Sequence, residues 1–307
     1  MQKKYKNKII IDTDPGQDDA LAILLLEKSG IFDIKAITTV AGNSTIKNTT
    51  NNARYILNLI DSKTPIYSGA EKPLKKELVV SNVHGESGLA GAKIVKQEKL
   101  LGNASQKIIE IIRNNPNEVS ILAIAPETNI AKAFIEDTEL LSLVKEIVIM
   151  GGAISVPGNR NKVGEFNIFV DPEAADIVFN ADVKKTLIPL DICDDVFLSL
   201  DDFEKLKNSG LYEPIKNIMG FYIEGMQKFE NKKGAFMYDP LAAYYLINPD
   251  AYKTELMDIE IETKGELTRG MTITDRRSWG EKKYNINVAT SIDKEIFVKD
   301  FFRILNS

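Results

Sequence analysis

The chain has 307 residues, and 39 Lys+Arg against 44 Asp+Glu give a formal net charge of −5. A makeup of 44% hydrophobic and 27% charged residues is that of a globular protein able to bury its own core, and the acidic excess excludes a nucleic-acid binder that tracks phosphates with a basic face. A single cysteine, Cys193, and a single histidine, His84, exclude an internal disulfide framework, multi-cysteine zinc sites and every chemistry that needs two imidazoles.

The N-terminal residues are basic, but the apolar run Ile9–Ile11 is too short for a signal sequence. No stretch approaches the roughly 20 apolar residues that span a bilayer. A cytoplasmic protein with no membrane partner is therefore expected. Lys8–Ile11 reads as a buried strand, Asp18–Lys28 as a helix, Ile34–Val40 as a strand and Ile46–Ile60 as a long helix. Then follow helix Ser105–Arg113, strand Val119–Ala125, helix Asn129–Phe134, strand Glu146–Met150, helix Pro172–Phe179 and strand Thr186–Leu190. The C-terminal half mixes a helix, Tyr212–Phe229, with strand-like Met257–Glu262, Met271–Thr274 and Asn285–Ala289. It closes on a helix with Phe297, Phe301, Ile304 and Leu305 along one face. Continuous apolar strands separated by helices predict an α/β fold: an open, mostly parallel sheet with helices on both faces, Rossmann-like. With no repeat, low-complexity tract or linker, residues 1–307 read as one domain.

In such sheets ligands bind beyond the carboxyl ends of the strands. Several predicted strand ends carry polar residues: Asp12, Asp14, Asp18 and Asp19 after the first, Gly42-Asn43 after the second, Gly151-Gly152 leading to Glu165 and Asn167, and Asp191. The segment Asp12–Asp19 holds four carboxylates and no Lys or Arg. Packed at a buried strand end they repel one another unless a hard divalent cation, Ca²⁺ or Mg²⁺, neutralises them. Pro15-Gly16 supplies the turn, and Asp18-Asp19 open the helix, where negative charge is favoured and Asp ordinarily serves as a cap. An EF-hand is excluded because Gln17 and Ile23 stand where it needs Gly and Glu, and no Walker loop is present. A phosphatase opening of the Asp-x-Asp-x-Thr kind would need Thr where Gly16 stands.

These residues resemble the inosine–uridine-preferring nucleoside hydrolases, whose fingerprint Asp-x-Asp-Pro-Gly-x-Asp-Asp-Ala is matched by Asp12–Ala20. The likeness continues through Ile37–Asn43, His84–Gly88, Thr128–Ala131, Met150–Gly152, Glu165–Ala175, Asp239-Pro240 and Leu267–Thr272, in order along nearly the whole chain. The resemblance implies that family's fold and a Ca²⁺ ion held by Asp14, Asp19, Asp239 and the main-chain carbonyl of Ile124. It also implies an attacking water on that ion with Asp14 as its general base. Asp18, Asn43, Asn159, Glu165 and Asn167 would hold the ribose hydroxyls, while Asp12 would brace the loop. In an extended segment Glu165 and Asn167 would face the same side.

The implied reaction is hydrolysis of the N-glycosidic bond of a ribonucleoside to ribose and free base. Carboxylates and amide oxygens around the sugar favour the positive charge that develops on it, and groups that read hydroxyls would be left unpaired by a 2′-deoxy analogue. Many members carry His before the last metal-binding Asp; here that residue is Tyr238, and a tyrosine side chain can donate a hydrogen bond but is a poorer acid at neutral pH than an imidazole. The only imidazole available for leaving-group work is His84, so His84 and Tyr238 are the candidate catalytic residues on the base side. Base selectivity is expected on the helix Tyr212–Phe229 and just after it, at Phe221, Tyr222, Met226, Phe229 and Glu230. Two other readings stay open: a non-catalytic, Ca²⁺-dependent ribonucleoside- or ribose-binding protein, and a metal-dependent phosphohydrolase. The family resemblance also implies a homodimer or homotetramer.

Overall fold

The computed structural model describes residues 7–81, 83–95 and 102–307. Its first half alternates strand and helix: β1 (Asn7–Thr13), α1 (Gln17–Ser29), β2 (Phe32–Thr39), α2 (Ile46–Asn58), β3 (Ile66–Ser68), α3 (Ala104–Arg113), β4 (Val119–Ile124), α4 (Thr128–Glu136) and β5 (Glu146–Met150). There follow α5 (Phe166–Val170), α6 (Pro172–Asn180), β6 (Lys185–Ile188), α7 (Leu190–Cys193), β7 (Phe197–Leu198), α8 (Tyr212–Glu230), β8 (Ala235–Phe236) and α9 (Tyr238–Ile247). The chain ends with β9 (Tyr252–Met257), β10 (Ile259–Ile261), β11 (Thr272–Thr274), β12 (Ile286–Ile292) and α10 (Lys294–Leu305).

Eight strands form one sheet in the order β3-β2-β1-β4-β5-β6-β12-β9, parallel throughout except for the antiparallel edge strand β9. The strand interiors are apolar on both sides because both faces are covered. Ile9 and Ile11 join one core with α1, α2, α8, α9 and α10, whereas Ile10 joins the other with α3, α4 and α6. The same alternation separates Leu122 from Ile121 and Val148 from Ile147. Helix α1 is buried from Gln17 to Leu26, which is why its sequence is apolar nearly all round instead of amphipathic.

The chain lays β2 and β3 on one side of β1 and then returns to place β4, β5 and β6 on the other. Strand order therefore reverses between β1 and β4, where an open parallel sheet leaves a crevice at its carboxyl end. Thr13 pairs with Thr39 on one side and Ile124 on the other, so the residues after all three strands converge there.

Several expected elements differ. The strand expected over Thr186–Leu190 ends at Ile188: Pro189, with no N–H for the ladder, precedes α7. The segment Met257–Glu262 is divided at Asp258 between the end of β9 and the separate hairpin strand β10, which pairs with β11. Strand β3 was not expected, since three residues are too few to show a period. Among the described residues no helix is long and apolar enough to cross a membrane.

Candidate active site

A cavity of about 270 Å³ opens over the crevice between β1 and β4. Of the residues singled out from sequence, Asp18, Asn43, His84, Ile124, Asn159, Glu165, Asn167, Tyr238 and Asp239 line it. Asp14 and Asp19 lie fully buried beneath the floor.

The acidic loop is tightly tied. Asp19 closes the first turn of α1 by accepting from Gly16 N at 2.9 Å and takes a second bond from Thr13 Oγ1 at 2.5 Å. Asp12 Oδ1 accepts from Thr38 Oγ1 at 2.5 Å and Asn129 Nδ2 at 2.8 Å, and its Oδ2 is buried without a partner among the described residues. Asp14 turns one oxygen, Oδ2, to Asn43 N at 2.6 Å, while Oδ1 is sealed without a partner. Asn43 Nδ2 returns bonds to Asp14 O at 3.2 Å and Asp19 Oδ2 at 3.3 Å, so the amide is fixed within the cluster.

Asp18, Asp19 and Asp239 each bring a carboxylate oxygen within 4.8 Å of the others. Asp239 reaches them from the first turn of α9, more than 200 positions further along the chain. Asp14 is not one of this trio, and Asp18, expected on the sugar side, is. Burial holds Asp18 and Asp19 up at about 6, and burial with neighbouring carboxylates pushes Asp14 and Asp239 well above the ordinary carboxylate range. Two oxygens of the cluster, Asp14 Oδ1 and Asp18 Oδ1, are buried without a hydrogen-bond donor among the described residues. Buried carboxylates drawn together, with two of their oxygens lacking donors, fit a hard divalent cation.

The loop after β5 forms the opposite wall. Asp191 holds its base by accepting from Ile154 N at 2.8 Å and Ser155 N at 2.7 Å, so this carboxylate braces the loop instead of joining the cavity rim. Asn159 Oδ1 accepts from Phe166 N at 2.8 Å. The segment Glu165–Asn167 is not extended. Glu165 is the N-cap of α5, its carboxylate accepting from Asn167 N at 2.9 Å, Ile168 N at 3.2 Å and Gly152 N at 3.1 Å. Unpaired N–H groups at a helix start attract such a carboxylate, and that preference overrides extended pairing. Asn167 is anchored to Met150 O at 3.2 Å. Burial raises Glu165 to about 7 against these donors.

On the base side, Tyr222 and Met226 of α8 line the cavity, whereas Phe221 is 39% exposed and packs near Gly85. The side chains of Phe229 and Glu230 lie outside the described residues. Tyr238 opens α9 beside Asp239, its ring 5.6 Å from that of Phe236. Sequence reasoning missed Val80, Val83 and Arg160 in the lining, and Gln17, which bonds His84. It also missed Glu127, which is fully buried at the start of α4 with neither carboxylate oxygen partnered and is pushed well above the usual range by burial. None of these has a sequence signal apart from its neighbours in space.

A model of the family described as inosine-uridine preferring nucleoside hydrolase matches residues 9–299. The chain belongs to this family. It is a nucleoside hydrolase, and neither the binding-protein nor the phosphohydrolase reading is favoured. The pyrimidine-specific ribonucleoside hydrolase RihA of Shigella boydii is 35% identical over 299 residues, covering 94% of this chain and 95% of that protein. A solved plant nucleoside hydrolase, the PpNRh1 enzyme, superposes with a TM-score of 0.92 at 28% identity over 99% of this chain and 100% of that one. A purine-preferring ribonucleoside hydrolase from Gardnerella vaginalis does so at 0.90 and 27% identity, over 97% and 98%. The similar nucleoside hydrolases thus include both a pyrimidine-specific and a purine-preferring enzyme.

Proposed function

We propose that this nucleoside hydrolase cleaves ribonucleosides to ribose and free base with the help of Ca²⁺. The buried acidic cluster at the switch point carries the reading: sealed oxygens of Asp14 and Asp18, with no donor and no Lys or Arg ion-paired to them among the described residues, call for a cation. Asp14, Asp19, Asp239 and the main-chain carbonyl of Ile124 would hold it. Ile124 supports this placement because it lines the floor of the cavity and pairs with Thr13, next to Asp14. A divalent cation there supplies Lewis acidity, lowering the pKa of a water and offsetting the repulsion among the carboxylates.

Asp14 serves as general base. Asn43 fixes one of its oxygens and leaves Oδ1 to take the proton of the attacking water. Asp18, Asn43, Asn159, Glu165 and Asn167 bind the ribose hydroxyls, and the carboxylates among them favour the positive charge that develops on the sugar as the bond to the base breaks. Glu165 and Asn167 are held by the backbone of α5 and β5, so they meet the sugar already oriented. The aromatic side, with His84, Tyr222 and Tyr238, receives the base. Assembly as a homodimer or homotetramer in the cytoplasm belongs to the same reading.

The test is ribose release, followed by a reducing-sugar assay, from inosine, adenosine, guanosine, uridine and cytidine with Ca²⁺ or a chelator. Chelator-sensitive release from at least one is expected. Nucleoside binding without release from any would replace the hydrolase with a binding protein, and release insensitive to chelator would remove the metal.

A further inference from the structure

His84 is held by Gln17, a residue to which the sequence motifs give no role. Gln17 Nε2 donates to Ala90 O at 3.1 Å, which fixes the amide so that its Oε1 faces His84 Nδ1 at 2.6 Å. An amide oxygen only accepts, so Nδ1 carries the hydrogen and donates it. In a neutral imidazole the other nitrogen, Nε2, is then an acceptor with no proton to give. Burial disfavours the charged ring and pushes its pKa down to about 4, against the opposing pull of the Asp19 carboxylate.

The orientation of the ring is set by its surroundings. It stacks on Tyr222, with centroids 5.5 Å apart and 12° between the planes. Its Nδ1–Cε1 edge lies against Gly16, where a Cβ would come within 2.6 Å of Nδ1. Nε2 has no partner among the described residues and is not one of their sealed polar atoms, and the ring lines the cavity. The ring thus brings an unpartnered acceptor to the same cavity that Tyr222, Met226 and Tyr238 line.

We infer that His84 is a specificity-determining hydrogen-bond acceptor that reads a ring N–H of the nucleobase, N3–H of uracil or N1–H of hypoxanthine, and is not the acid that protonates the leaving base. The inference rests on the nucleoside hydrolase reading for its ligand, but the tautomer stands on the protein alone. Gln17 acts through His84 as a positioning residue.

Two experiments test it. Because the chain has one histidine, ¹H–¹⁵N correlation NMR of the intact protein at pH 7 reports on this ring without ambiguity. A protonated Nδ1 with an unprotonated Nε2 is expected; the opposite tautomer or an imidazolium overturns the inference, and neither result depends on turnover. The second experiment compares kcat/KM for uridine or inosine, whichever is cleaved faster, with that for its N3- or N1-methylated analogue, in the wild type and in His84→Ala. The wild type should prefer the unmethylated substrate by about tenfold or more. His84→Ala should lower the natural substrate to the level of the analogue, taking the ratio toward one. A ratio that persists in His84→Ala overturns the acceptor role. So does one that collapses because the analogue rises instead.

Discussion

Asp14 and His84 differ in what their environments leave open. Asp14 keeps one oxygen on Asn43 N and one without a donor. Asparagine preserves the first contact, because its amide oxygen can accept from Asn43 N, but cannot take a proton. Asp14→Asn should therefore leave the fold intact by circular dichroism and lower kcat by about 10²–10⁴, the usual contribution of a positioned general base. For His84 the consequence is a stability profile. Its pKa falls from 6.5 to about 4 on folding because burial disfavours the charged ring. As pH drops the unfolded chain is protonated first, so the contribution is whole above pH 6.5 and is lost progressively down to about pH 4. At about 1.4 kcal/mol per pH unit of depression this comes to roughly 3 kcal/mol. Urea denaturation of the wild type and His84→Asn, at a series of pH values, should show the two curves converging as pH falls through this window.

The site elements are held by short local devices. The turn after β2 brings Gly42 so close to Asp14 that a Cβ on it would lie 2.0 Å from Asp14 Oδ2 and 3.1 Å from the Pro126 ring. Gly42→Ala must displace the Asp14 carboxylate or the turn that donates to it. A drop of about 100-fold in kcat/KM is expected, since a displacement of about 1 Å at a reacting group costs that much. The effect on the midpoint of urea unfolding should be small, because the turn lies outside the two apolar cores. If activity were unchanged, Asp14 would not need its present position. Glu165 shows the same economy: a carboxylate facing the cavity is also the cap of α5. The pattern of apolar and polar residues did not show this. A five-residue helix carries too little period to be distinguished from an extended segment.

At the scale of the molecule, the sheet gathers at one point carboxylates that are costly to bury. Asp14, Asp18, Asp19 and Asp239 are all buried and all held above their ordinary pKa by that burial. A ligand that binds only the folded chain stabilises it by about 2.7 kcal/mol at 100 times its Kd. Ca²⁺ should therefore raise the unfolding midpoint, and chelator should lower it, at pH 7. The difference should shrink as the pH falls and protons replace the cation; calorimetry with and without Ca²⁺ measures it, and no difference at any pH would dismiss the cation. The α/β class, the succession of the main strands and helices and the acidic fingerprint are legible in the order of residues. These are written in local periods and contiguous motifs, which survive without knowledge of what lies across the sheet. The sequence also makes the family recognisable, because the motifs recur in order along the chain. Folding alone brings Asp18 together with Asp19 and Asp239, sets Asp191 to brace a loop and places the amide oxygen of Gln17 on His84 Nδ1. Apart from the adjacent Asp18 and Asp19, those contacts join residues from 36 to more than 200 positions apart, or depend on which atom of a side chain faces its neighbour, and neither is expressed in the order of residues along the chain.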